Sequence, residues 1–284
     1  MRLLQALVAH RSNAHLIPLY KEPARTKIFV PATSKTIMNT FYIKTSSRGT
    51  AAEIESVVNM LPRYTKDLNE INHVLIFVRR LKEITFSENN DSITHGLLEI
   101  EKQGILNHFL IICLLDFLVV YKNSLSAIHL WDELHSLRQG YLLIHEALKT
   151  YNGHNKSLKE LASKTSPEAE SLFYSLSGEI KRFKEDFKYH SLIADLRNNT
   201  IAHIEKDTVN FFDKMSKFDT DVAFAALKAF PLILGRMLKL SDLIFKAYTK
   251  TIIKQISFDD LIRGENSVQV EKLLDLIEPD WRKQ

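Results

Sequence analysis

Two side chains six positions apart carry the clearest chemical potential in this sequence. They are Arg197 and His203, in the run Arg197-Asn198-Asn199-Thr200-Ile201-Ala202-His203. An arginine brings a permanent charge and a planar fork that matches the oxygens of a phosphate. An imidazole, with an unperturbed pKa of about 6.5, takes and gives protons near neutral pH. Asn198 can orient either partner. The three together suit proton transfer at a negatively charged centre. The same residues also have a structural explanation, with Arg197 paired to an acid on a neighbouring helix and His203 bonded to a carbonyl.

The surrounding residues have to position that pair. Leu192, Ile193, Leu196, Ile201 and Ile204 predict a helix with one side in a core, and Asn198, Asn199 and Thr200 interrupt it with modest helix propensity. On a regular helix Arg197 and His203 sit about 120° apart. They share a site only if the helix is distorted, begins here, or is completed by a second chain. His190, seven residues before Arg197, falls on nearly the same face and is a weaker supporting candidate.

At these residues the chain resembles the HEPN superfamily, marked by an arginine, a polar residue and a histidine four to six positions on. The Arg-Asn…Ala-His form is most similar to its abortive-infection (Abi) branch. The resemblance covers residues 92–255, and it implies an all-helical domain and a metal-independent endoribonuclease. RNA supplies its own nucleophile, the 2′-OH. The protein then needs a base for it, charge stabilisation for the phosphorane and an acid for the leaving oxygen. Arg197, Asn198 and His203 are the catalytic candidates the resemblance implies. One histidine does not easily serve as both base and acid in one turnover, so a two-fold homodimer bringing two motifs together is expected. The resemblance further implies RNA as partner, no cofactor, and an antitoxin or defence partner protein in a toxin–antitoxin or anti-phage setting. The alternative is a non-catalytic helical module that binds a protein or nucleotide.

Composition bounds the rest. The chain has 284 residues, 45% hydrophobic and 25% charged, which is ordinary for a globular protein. A net charge of +4 is no argument for nucleic acid. The single cysteine, Cys113, excludes an intrachain disulfide and multi-cysteine zinc sites. It lies in an apolar run, is expected to be a buried small hydrophobe, and makes the reducing cytoplasm the default compartment. The charge is unevenly spread. Residues 1–50 hold eight cations and one acid, Glu22, for a net of +7, and the other 234 residues sum to −3. Residues 1–60 are therefore expected to form a basic, poorly ordered N-terminal arm. The arm is open to three meanings: a leader, a segment attracted to RNA phosphates, or a transit peptide. Thr26–Val30 and Phe41–Thr45 could pair as a short hairpin. A secretory signal is not expected, since no apolar core of about 7–15 residues follows Met1-Arg2.

Long helices follow. Leu68, Ile71, Leu75, Val78 and Leu81 mark an amphipathic helix within 61–90, and Ser87–Asp91 reads as a turn. Ile105–Tyr121 is apolar almost all round, the pattern of a helix buried on every side. It is too short for a membrane span and carries Asp116 at its middle, so no membrane partner is expected. In a soluble core Asp116 would need a partner. Leu130, Leu134, Leu137, Tyr141, Ile144 and Leu148 form one stripe, ended by Tyr151–Asn155. Ser157 and Glu160 predict a capping box, and Ser166-Pro167 predicts the start of a helix with the stripe Leu172, Leu176, Ile180, Phe183 and Phe187. A further helix begins near Thr220, with Pro231 expected to kink or divide it. Residues 256–284 hold a last short helix, Val268–Ile277, and a tail. The expected fold class is all-α, a helical bundle with antiparallel neighbours.

Other chemistry is missing from the sequence. It holds no phosphate-binding loop, no dinucleotide fingerprint, no His-Glu-x-x-His and no zinc-deaminase pattern. The eleven histidines are scattered, and no metal site is assigned.

Overall fold

A computed structural model of the chain describes residues 48–87, 91–194 and 219–255. The fold is all-α, with no strand among the described residues. Its helices are α1 (Ala51–Ser87), α2 (Asp91–Ser126), α3 (Leu130–Gly153), α4 (Asn155–Thr165), α5 (Pro167–Asp186) and α6 (Thr220–Gln255), with a π-helical turn at Tyr189–Ile193 after α5. The expected hairpin, most of the basic arm and the Val268–Ile277 helix lie outside the described residues.

α1 starts ten residues earlier than composition suggested, so residues 51–60 belong to a helix rather than to the arm. The cause is local. Thr50 Oγ1 accepts from the Glu53 backbone N–H at 3.2 Å, and Glu53 Oε2 accepts from the Thr50 N–H at 2.9 Å. This reciprocal capping box satisfies two donors that a helix start leaves orphaned. Pro62 sits inside the helix instead of before it.

The expected stripes are where the core is. Ile71, Leu75, Val78 and Leu81 of α1 are buried, as are Leu137, Tyr141, Ile144 and Leu148 of α3 and Leu176, Ile180 and Phe183 of α5. Neighbours run antiparallel, as side-chain pairing makes plain. Along α2 and α6, Tyr121 meets Phe224 at 6.0 Å and Phe117 meets Phe230 at 5.6 Å. Gly104 of α2 meets Phe245, further along α6. On the α5–α6 face, Glu168 pairs with Lys239, and Glu179 with Arg236. Gly104 and Gly140 stand where side chains of neighbouring helices come close. A Cβ on Gly104 would stand 2.7 Å from Leu75, and one on Gly140 would stand 2.7 Å from Leu227.

Three expectations need correction. Ser157 and Glu160 do not start α4. The helix begins at Asn155, and Ser157 is already inside it, so its backbone needs no cap there. Of the two outcomes expected at Pro231, division is ruled out, since α6 runs unbroken from Thr220 to Gln255 with the proline inside it. Nor is α2 buried on every side. Leu98, Ile105, Ile112 and Val119 are exposed, and Asp116 lies at the surface, where its charge stays hydrated. Ser166 behaves as expected, its side chain accepting from the Ala169 N–H at 3.1 Å with Pro167 at the first helical position.

α2 is also longer than the Ile105–Tyr121 run that reads as too short for a membrane span. Thr94–Ser126 is the one helix among the described residues long and apolar enough to cross a membrane, and half of its most apolar window is buried in the bundle. Cys113 is 5% exposed, and burial, with Asp116 and Glu146 nearby, pushes its thiol up to about 12. Such a thiol is inert at neutral pH.

α1 and α2 are clasped by a charged cluster. Glu101 accepts from Lys82 at 2.6 Å and Arg79 at 2.7 Å. The Lys82 hydrogen bond, outweighing desolvation and helped by Arg79, holds the Glu101 carboxyl below the usual glutamate value. A depressed folded pKa adds stability that is fully present above the unfolded value of about 4.3 and is lost as pH falls through the folded value. Glu101→Gln should cost about 1 kcal/mol at neutral pH, the scale of a partly exposed pair. It should also flatten the acid limb of a urea-midpoint series. An acid limb as steep as the wild type's would show that the clasp contributes nothing.

Candidate functional site

Arg197, Asn198 and His203 lie outside the described residues, so the structure describes the two anchors of their segment. The incoming anchor is the end of α5 and the π turn. Phe187 and Lys188 close α5, with the Phe187 N–H donating to the Phe183 carbonyl at 3.1 Å. Lys188 sits in the left-handed region at φ 47°, the usual way for a helix to stop, though usually with glycine. The chain then re-enters helical geometry with wider turns, and the Ala194 N–H donates five residues back to the Tyr189 carbonyl. Such π turns insert one extra residue and rotate everything after them relative to the preceding helix.

The π turn presents a ring cluster. Tyr189 is 6% exposed and stacks on His145 of α3, with centroids 5.8 Å apart and planes at 9°. Its hydroxyl lies 3.1 Å from His145 Nδ1. Lys184 Nζ stands 5.3 Å from the ring centre, a cation–π distance. Burial lowers the Lys184 ammonium pKa, and burial together with the Glu146 charge raises that of the Tyr189 hydroxyl. His190, the weaker candidate from sequence, is exposed and meets the Tyr189 ring edge-on at 5.0 Å. His145, Tyr189 and Lys184 were not singled out in sequence. The available signal was slight: His145 and Glu146 directly follow the core residue Ile144 on the edge of the α3 stripe.

The outgoing anchor is Asp219. Its Oδ1 accepts from the N–H groups of Asp221 at 3.0 Å and Val222 at 3.1 Å, capping α6. Beside it stands a second element invisible to periodicity. Arg48 donates through Nε to Glu133 and through a terminal nitrogen to Thr220 Oγ1 at 3.2 Å, and it pairs with Asp221 at 2.6 Å. Its guanidinium lies 5.2 Å from the Phe224 ring centre. Glu133 is fully buried in the first turn of α3, and Asp221 lies in the first turn of α6. Both carboxylates also face the positive end of a helix dipole. The Gly49 N–H donates to the Leu125 carbonyl at 3.0 Å. Residues 48–50 thus fasten the end of the basic arm to the end of α2, the start of α3 and the start of α6, the last of which follows the motif segment.

Among the described residues, no group of three or more His, Cys, Asp or Glu side chains could hold a metal ion. A shallow groove of ≈580 Å³ along α1, lined by residues from Leu61 to His73, lies away from both anchors. No family model, curated protein or solved structure matches the chain.

Proposed function

We propose that this chain is a metal-independent endoribonuclease of HEPN type that cleaves RNA through attack of the 2′-OH. The observation that carries the proposal is the Arg197…His203 motif, set in an all-α bundle and entered through a π turn, a geometry frequent at functional sites. In this mechanism His203 exchanges protons with the 2′-OH or the leaving 5′-oxygen. Arg197 holds the charge that grows on the phosphorane, and Asn198 orients the pair. Two chains meet about a two-fold axis so that the second His203 supplies the complementary acid or base. The setting is cytoplasmic, without a membrane partner, and the role that of a toxin or abortive-infection effector held in check by a partner protein.

The deciding experiment incubates purified chain with RNA in EDTA. Cleavage to 2′,3′-cyclic phosphate ends, blocked by 2′-deoxy substitution at the cut position, supports the proposal. Intact RNA from folded protein defeats it, and a non-catalytic interaction module takes its place. The exposed apolar face of α2 is the observation that favours that second function.

The basic arm gives a further prediction. Residues 1–46 hold seven cations and one acid, a net of +6. Deleting them should weaken RNA binding at low salt and flatten the dependence of affinity on salt, because fewer phosphate counterions are released. The cut must stop before Arg48. Removing residues 1–50 would also remove the guanidinium that pairs with buried Glu133 and the Thr50 cap of α1. Unchanged affinity and salt slope after deletion of 1–46 would make the arm irrelevant to RNA.

A further inference from the structure

The fourth face of α2 is unusual for a helix at the centre of a bundle. α1, α3 and α6 cover its other sides. The uncovered positions are His95, Leu98, Lys102, Ile105, Phe109, Ile112, Asp116, Val119 and Asn123, all exposed except half-buried Phe109. Their spacing alternates three and four without a break. Leu98, Ile105, Ile112 and Val119, each 37–45% exposed, recur every seventh residue. A sevenfold apolar recurrence lets a helix seat another helix along one seam.

The charges on this seam indicate what seats there. Lys102 is 63% exposed and touches Glu99 at 3.6 Å, while Asp116 is at the surface. They are placed symmetrically about Phe109, seven residues to either side. The aliphatic residues share nearly the same midpoint. Turning α2 end for end about an axis beside Phe109 brings Lys102 against Asp116 of the copy. The same operation sets Ile105 beside Ile112, and Leu98 beside Val119. A parallel pairing would instead stack Lys102 on Lys102 and Asp116 on Asp116, which repel.

We infer that the exposed face of α2 is a self-association surface, joining two copies of this chain as an antiparallel helix pair with two Lys102–Asp116 ion pairs across it. The inference does not depend on the ribonuclease proposal. The π turn that leads to the motif segment packs on α3 and α5, a different part of the bundle. The seam is one helix wide and about 32 Å long. That is the size of a weak interface rather than an obligate one.

Sedimentation of the full chain, carried to about 100 μM to reach a weak interface, should show self-association that dilutes away. Ile112→Lys should weaken it at least about tenfold, as expected for an apolar anchor at the centre of an interface. Asp116→Lys should weaken it by a similar factor through like-charge contact with Lys102. Adding Lys102→Asp to Asp116→Lys restores the opposite-charge pairs and should recover most of the association. A Phe109→Cys chain should oxidise to a covalent dimer, because that position faces its own copy. Circular dichroism checks that each variant is folded.

Wild-type association unchanged by either single variant overturns the inference, as does failure of the double variant to recover. So does a wild-type chain monomeric throughout, or one that pellets with lipid vesicles through Ile112 without self-associating. If the motif segments also pair as proposed above, Ile112→Lys removes one step of association and leaves RNA cleavage intact. Failure here and failure of the nuclease proposal are therefore read separately.

Discussion

His203→Ala and Arg197→Ala should each lower RNA cleavage by about a hundredfold or more, the scale of losing an acid/base group or a charge poised for the transition state. Neither should unfold the protein. The core of the described residues is built from leucine, isoleucine and phenylalanine stripes on α1, α3, α5 and α6, and a polar site residue contributes little to such a core. The two variants should differ in binding. A neutral imidazole adds little attraction for phosphate, so His203→Ala should hold RNA as the wild type does. Arg197→Ala removes a permanent charge and should bind somewhat more weakly, most visibly at low salt. A folded His203→Ala protein that cuts RNA at the wild-type rate would reduce the motif to scaffold.

Periodicity explains which parts of the fold could be read beforehand. The α3 residues Leu137, Tyr141, Ile144 and Leu148 are all fully buried because a stripe at three and four can face only one way. The same rule gave α5 and the second half of α1. Composition misled where it replaced local chemistry. Pro62 and the cations before it suggest an arm reaching residue 60, whereas the Thr50–Glu53 box starts α1 at Ala51. For α2, near-continuous hydrophobicity hid the open face. Counting apolar residues does not separate the buried Leu110 and Phe117 from the exposed Ile105 and Ile112.

The candidate site divides along the same line. Arg197, Asn198 and His203 are legible as residue types at a spacing, and their assignment rests on that spacing. The elements that flank their segment were not legible. The Tyr189–His145 stack joins residues 44 apart, and a π turn shifts register by one residue without any sequence mark of its own. The Arg48 cluster is less legible still. Glu133 is 85 residues from Arg48 and Thr220 is 172, so no window along the chain contains the contact. From sequence, Arg48 is simply the last cation of the basic arm.

That cluster carries the largest expected effect on stability. Arg48→Ala should destabilise the chain by about 3 kcal/mol, which for a domain of this size lowers Tm by about 6–12 °C. The physical reason is asymmetric. Glu133 is fully buried, and without the guanidinium its carboxylate loses an opposite charge that no water replaces easily. The loss belongs at the low end for a broken buried pair, because the Arg48 side chain is 24% exposed and solvent can enter part of the vacated space. Glu133→Ala should cost less, about 1–2 kcal/mol, since Arg48 would still pair with Asp221 at the surface and keep its place over Phe224. Replacing both, as Arg48→Met with Glu133→Leu, should recover much of the Arg48→Ala loss by exchanging a buried charge pair for apolar contact. Thermal melts of the three variants test the order directly. Equal losses in both single variants, or no loss in Arg48→Ala, would mean that the cluster sits at the bundle end without holding it. The ordering also bears on the motif segment. Arg48 joins the first turn of α3 to the first turn of α6, and α6 begins one residue after the Asp219 cap that closes the segment. Arg48→Ala should therefore raise hydrogen exchange at the start of α6 before it does so in the centre of α2, where Leu110 and Phe117 keep the core intact.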